Sequence, residues 1–184
     1  MLKIGLISYN TTHLKSEQVF HNIIDKGYDL KIFLLPFIIR KKRSALISHR
    51  PNQNAAVNLS ELGGKYNIPV KVCDNDYDIN NDCDYYIILG ANLLSEKCVK
   101  NKKIINCHPG IIPSARGLDS FKFSIINQIR LGVSLHFIDE KIDEGVLIST
   151  VETPVYSSDS LETLSRRHYD NEIQVISNFE KYLN

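Results

Sequence analysis

Residues 104–120 read IINCHPGIIPSARGLDS, which puts Asn106 and His108 at the end of an apolar, β-like run and directly before a proline-bounded loop. An amide side chain donates a hydrogen bond to developing negative charge, and an imidazole gains or loses a proton near neutral pH. The pair therefore suits a reaction in which charge builds up and a proton has to move. A parallel sheet delivers such side chains into a crevice at the carboxyl ends of its strands. Further on, VSLHFI at 133–138 alternates like a second strand and runs into DEKIDEG at 139–145, an acidic loop able to bring a carboxylate, Asp143, to the same place. Asn106, His108 and Asp143 form a candidate catalytic trio.

Those residues need a frame, and the rest of the chain reads as one. An apolar run at 2–8 is a strand; 16–26 puts Val19, Phe20, Ile23 and Ile24 on one helical face; 30–35 is a second strand, completing a β-α-β unit. A basic, polar stretch at 40–54 precedes a helix expected over 55–66, weakened near its end by Gly63 and Gly64, and then a strand at 68–72. The run YYIIL at 85–89 is continuously apolar, as in a central strand covered on both faces. A short helix at 95–100 leads to the strand that ends at Asn106. Beyond the loop, 120–131 carries Phe121, Phe123, Ile125, Ile126 and Ile129 at helical spacing, 147–153 reads as a strand, and Asp159 or Ser160 caps a last amphipathic helix. The expected fold is α/β: a single Rossmann-like, open, mostly parallel twisted sheet with helices on both faces.

Length and composition set bounds. With 184 residues and a formal net charge of +1, one domain spanning 1–184 is expected, with no global attraction to nucleic acid. No apolar stretch approaches the roughly 20 residues that cross a bilayer, and the first eight residues are too short for a signal core, so no membrane association and a cytoplasmic location are expected. Cys73, Cys83, Cys98 and Cys107 form no C-x-x-C pair and no cluster at zinc-ligand spacing, which points to neither a disulfide framework nor a metal site. Cys107 falls between Asn106 and His108, so strand alternation turns it to the opposite side, as a small buried side chain.

Taken in order, Asn106, His108-Pro109, Ile112-Pro113, Arg116-Gly117, the GVSLHF run at 132–137 and Asp143-Glu144-Gly145 resemble the folate-dependent formyltransferase family, closest in type to its sugar N-formyltransferases. Any one of these residues alone has an ordinary explanation as a turn or surface group; their joint order carries the resemblance. The resemblance implies transfer of a formyl group from 10-formyltetrahydrofolate to an amine, with no metal. Attack on the formyl carbon gives a tetrahedral intermediate with negative oxygen and positive nitrogen. Asn106 would donate to that oxygen, an interaction typically worth ~3 kcal/mol in the transition state. His108 would support the oxyanion or move the proton to the departing folate nitrogen, and Asp143 would orient His108. His136 matches a family position but fits better as a supporting histidine of the core.

By the same resemblance, the folate ring lies between the loop after the central strand, with Leu89, Gly90, Leu93 and Leu94, and the acidic loop, with Ile138, Asp139, Glu140 and Ile142. Leu93 and Leu94 serve equally as pocket wall or core, and Gly90 as close approach or strand-ending turn. The amine acceptor is expected to be a small molecule, an amino sugar that is nucleotide-linked or acidic. Glycinamide ribonucleotide formyltransferases cradle a phosphate with a glycine-rich loop after the first strand, whereas this chain has Ser8-Tyr9-Asn10-Thr11-Thr12-His13 there. Candidate acceptor contacts are Tyr9, Asn10, Arg40, Arg43, Arg116, Gly117, Asp119 and Ser120. A glycinamide ribonucleotide acceptor, hydrolysis of the formyl donor, and folate binding without turnover stay open as alternatives, as does a homodimer.

Overall fold

The computed structural model describes residues 1–37, 50–139 and 145–183. The chain divides into two compact units, one made of 1–40 and 52–106, the other of 41–51 and 107–184.

The first unit is built on five parallel strands, β1 (Lys3–Tyr9), β2 (Asp29–Leu35), β3 (Val70–Val72), β4 (Tyr85–Ile88) and β5 (Ile104–His108), the last of which runs on into the second unit. They pair in the order β3-β2-β1-β4-β5. Helices α1 (Leu14–Ile23) and α2 (Leu59–Tyr66) connect β1 to β2 and β2 to β3, while α3 (Glu96–Val99) connects β4 to β5. Right-handed crossovers put α1 and α2 on one face and α3 on the other, because the strand order reverses between β1 and β4. That reversal opens a crevice at the carboxyl ends of β1 and β4, the place where open α/β sheets bind ligands. The parallel, doubly covered arrangement matches the expectation from sequence. Ile4, Leu6 and Ile7 of β1 and Ile87 of β4 are fully buried, as strands packed on both faces require.

Local chemistry moves three helix boundaries. α1 begins at Leu14, gives way to a 3-10 turn at Ile24–Lys26, and stops at Gly27, whose φ of 76° suits glycine. α2 begins four residues later than its periodicity suggests, because the Asn58 side chain accepts from the Ser60 N–H at 2.8 Å and fixes the start there. Asn67, at φ 55°, ends it.

In the second unit, β6 (Gly132–Phe137) and β7 (Leu147–Glu152) pair antiparallel, with a register shift between Leu135 and His136. Two helices accompany them, α4 (Ser120–Ile126) and α5 (Leu161–Ser177). α4 is shorter than expected: the Asn127 side chain donates to the Phe123 carbonyl at 2.9 Å and Gln128 turns left-handed at φ 53°, breaking the helix before Ile129. Phe121, Leu131 and Leu164 pack together, with Ile125 against them. Among the described residues no helix is long and apolar enough to cross a membrane.

A Cβ on Gly5, in the middle of β1, would lie 2.5 Å from Tyr86 Cδ1 and 3.1 Å from Phe33 Cε2. Gly5→Ala should cost about 1–3 kcal/mol through overpacking, read as a lower urea midpoint at unchanged m-value.

Candidate active site

Strand β5 delivers Asn106 and His108 to one face and turns Cys107 to the other, where it is buried. Asn106 is half-buried and His108 is 5% exposed. His108 Nε2 lies 2.8 Å from the carbonyl oxygen of Ala115, which accepts only if Nε2 carries the proton.

The turn after His108 is held by side chains from the rest of the second unit. The Pro109 carbonyl accepts from the Ser120 hydroxyl at 2.6 Å and faces His168 Nε2 at 3.2 Å. Ser134 of β6 donates its hydroxyl to the Gly110 carbonyl at 2.8 Å and accepts the Ile112 N–H at 2.9 Å. The Ala115 N–H donates to the Ile111 carbonyl at 2.8 Å, and the Ile112–Pro113 peptide is cis. Gly110 sits where no side chain fits: a Cβ would come within 2.5 Å of the Ala115 oxygen and 3.0 Å of His108 Nε2.

Behind this turn, α5 contributes His168 and Glu172, both fully buried. Burial pushes the His168 imidazole below the ordinary histidine range; the Pro109 carbonyl and Glu172 pull it back up, and Arg50 and His108 push it down. Arg50 holds Glu172 with a forked contact, 3.1 and 3.2 Å to the two carboxylate oxygens.

The acidic loop is closed at its base, since the Phe137 N–H donates to the Val146 carbonyl at 2.9 Å and a Cβ at Gly145 would run into the Phe137 carbonyl. Ile138 is half-buried and Asp139 exposed at its entry. Glu140, Ile142 and Asp143 lie outside the described residues, as do Arg40 and Arg43.

In the first unit, Leu89 and Gly90 follow β4, and both donate N–H groups toward the Ile7 carbonyl. Leu89 is buried, Leu94 half-buried and Leu93 70% exposed, so Leu93 offers an uncovered apolar surface. A Cβ at Gly90 would meet the Tyr9 ring at 2.7 Å and His13 Cε1 at 3.1 Å. Tyr9 stands edge-on to His13 and to Phe37, with centroids 5.8 and 5.1 Å apart. Asn10 is exposed, and its N–H donates to the Leu35 carbonyl at 2.7 Å.

The other candidate acceptor contacts diverge. Arg116 and Asp119 are exposed and Gly117 adopts φ 86°, whereas Ser120 is fully buried with its hydroxyl committed to Pro109. Thr153, Ser134, His168 and Glu172 escaped the reading of the sequence. The signal was there for two of them: His168 and Glu172 stand four apart on the buried stripe of α5, continuing Leu164, where apolar residues belong. Among the described residues no group of three or more His, Cys, Asp or Glu is placed to hold a metal ion.

Residues 76–179, more than half of the chain, match the family model for formyl transferases, and the chain belongs to that family. Its similarities divide between two kinds of member. A phosphoribosylglycinamide formyltransferase of Haemophilus influenzae is 30% identical over 74 residues, 40% of this chain and 35% of that protein. A dTDP-4-amino-4,6-dideoxyglucose formyltransferase of Mycobacterium bovis is 35% identical over 74 residues, 40% of this chain and 32% of that protein. The matched stretch thus spans about a third of each of these relatives. The crystal structure of the Campylobacter jejuni phosphoribosylglycinamide formyltransferase shares the fold, with a TM-score of 0.72 at 16% identity over 98% of this chain and 97% of that one.

Ser134→Ala removes one partner from each of two backbone groups in the turn after His108. It should cost about 1–3 kcal/mol, measured by chemical denaturation.

Proposed function

We propose that the protein transfers a formyl group from 10-formyltetrahydrofolate to the amine of an amino sugar, nucleotide-linked or acidic. Membership of the formyl transferase family supports the transfer; Asn106 and His108 on one face of β5 are the residues we assign to it. In this reading Asn106 donates to the oxyanion of the tetrahedral intermediate. His108 with its proton on Nε2 carries its lone pair on Nδ1, the atom we assign to accept the amine proton and pass it to the departing nitrogen. Asp143 supplies the carboxylate that supports the imidazolium. We assign the folate ring, as the resemblance implies, to Leu89, Gly90, Leu93 and Leu94 of the loop after β4 and to Ile138, Asp139, Glu140 and Ile142 of the acidic loop.

The acceptor assignment rests on one observation, the state of the α1 N-terminus. Its first N–H groups are already used, Leu14 donating to the Gln53 carbonyl at 2.8 Å and Lys15 to Gln53 Oε1 at 3.1 Å. A phosphate cradle needs such donors open to the ligand. Tyr9, packed on Gly90, adds a ring where a glycine-rich loop would leave room. We assign the acceptor to Tyr9, Asn10, Arg116, Gly117 and Asp119 with Arg40 and Arg43, cations suited to the phosphates or carboxylate of a charged sugar. The second reading, a glycinamide ribonucleotide acceptor, is favoured by the similarity to the Haemophilus influenzae enzyme.

The test incubates the protein with 10-formyltetrahydrofolate and one amine at a time: dTDP- and UDP-linked amino sugars, free amino sugars, glycinamide ribonucleotide, or none. Gain of one formyl group by an amino sugar, read by mass spectrometry, is the expected result. Formylation of glycinamide ribonucleotide alone selects the second reading, and formate release at an equal rate without amine makes the protein a hydrolase. With the working acceptor, His108→Ala should lower kcat by roughly 10²–10⁴ and Asn106→Ala by roughly 10²–10³.

A further inference from the structure

His168 is a fully buried imidazole with a hydrogen-bonding contact at each nitrogen, on a helix that contributes none of the residues assigned to the reaction. Its surroundings constrain where its proton sits. Asn171 Nδ2 donates to Thr153 Oγ1 at 3.0 Å, and the Thr153 hydroxyl, with its hydrogen still available, lies 3.0 Å from His168 Nδ1. The Pro109 carbonyl, 3.2 Å from Nε2, can only accept. A proton on Nδ1 instead would set the Nε2 lone pair against that carbonyl oxygen. The Pro109 carbonyl requires a proton on Nε2, and burial favours the neutral ring over the imidazolium, with Glu172, Arg50 and His108 as the titratable or charged groups around it; in that form Nδ1 accepts from the Thr153 hydroxyl. Hydrogen-bond direction thus runs from Asn171 through Thr153 and His168 to Pro109.

Pro109 is the residue after His108, and its carbonyl takes two donors, His168 and Ser120. The same turn returns Ala115, whose carbonyl accepts from His108 Nε2. We infer that His168 is a positioning residue: by fixing the Pro109 carbonyl it holds the turn whose Ala115 oxygen keeps the His108 proton on Nε2 and its lone pair on Nδ1. The inference rests on reading His108 as the group that moves the proton.

The experiment uses the full chain carrying ¹⁵N-labelled histidine, with long-range ring couplings reporting the tautomer of His108, assigned through its loss in His108→Ala. The wild type should show His108 as the Nε2–H tautomer throughout the pH range where it is neutral. His168→Leu, which fills the space without a donor, and Thr153→Val, which removes the hydroxyl that fixes His168, should both give a mixture of tautomers. His168→Gln, whose amide can still donate to Pro109, should keep the wild-type form. With a working acceptor, kcat of His168→Leu should fall on the order of 100-fold at unchanged KM, with most of the loss restored in His168→Gln. An unchanged His108 tautomer in both His168→Leu and Thr153→Val overturns the inference, as does a Gln variant no better than Leu. If His168→Leu does not fold, Thr153→Val and His168→Gln decide alone. The ring couplings need no acceptor, so failure to formylate any amine would sink the proposed function and leave this inference to be judged separately.

Discussion

Three buried carbonyls in the turn after β5 have to find hydrogen-bond donors, and the second unit is arranged around that need. Pro109, Gly110 and Ala115 lie in a segment that strand pairing does not continue through, so side chains must do what a sheet ladder would otherwise do. Ser120 and His168 serve the first, Ser134 the second and His108 the third. A buried carbonyl left without a partner costs roughly 1–3 kcal/mol, so a drift of the turn that broke these bonds together would cost a sizeable fraction of a domain's net stability. The consequence is a turn tied down at three carbonyls, one of them the partner of His108.

The first unit handles its crevice differently. Where the strand order reverses, β1 ends in a polar chain, Ser8 to Ser16 at 2.6 Å and Ser16 to His13 Nδ1 at 2.7 Å, with Tyr9 lying against Gly90. Gln53 reaches back to satisfy the start of α1. Donors that the helix dipole would have offered to an anion are spent internally. On the proposed reading, a charged acceptor would then be recognised by side chains rather than by this helix end.

Much of this was legible because periodicity reports burial. The continuous apolar run of β4 announced a strand covered on both faces, the alternation of strands and helices announced a parallel sheet, and Asn106 and His108 stood out as polar residues where an apolar run ends. Helix starts were less legible: α2 reads as beginning at 55 until the Asn58 cap is recognised, since a capping bond competes locally with a period that averages over many residues. The supporting groups were hidden for a related reason. Ser134 sits between Val133 and Leu135 in a strand whose residues from Gly132 to His136 are all buried, so alternation carries no information there. Thr153 lies just past β7, and its partner His168 comes from a helix that no local pattern pairs with it. Only the spacing of His168 and Glu172 on a buried stripe could have flagged them.

The direction of the hydrogen bonds, more than their number, decides what His108 can do. An imidazole donating from Nε2 to a carbonyl cannot release that proton without leaving a lone pair facing a lone pair, so its exchangeable site is confined to Nδ1. Gly110 reinforces the confinement by bringing the backbone to a distance that any side chain would block, closing the space beside Nε2. The bonds from Ser120, Ser134 and His168 form with the fold, so on the proposed reading of His108 the turn would need no reorganisation when a substrate arrives. A histidine on a loose loop would divide its population between two tautomers and offer the wrong nitrogen part of the time. The side chains that satisfy the buried carbonyls of this short turn are the same ones that, on the proposed reading of His108, hold a single proton in place.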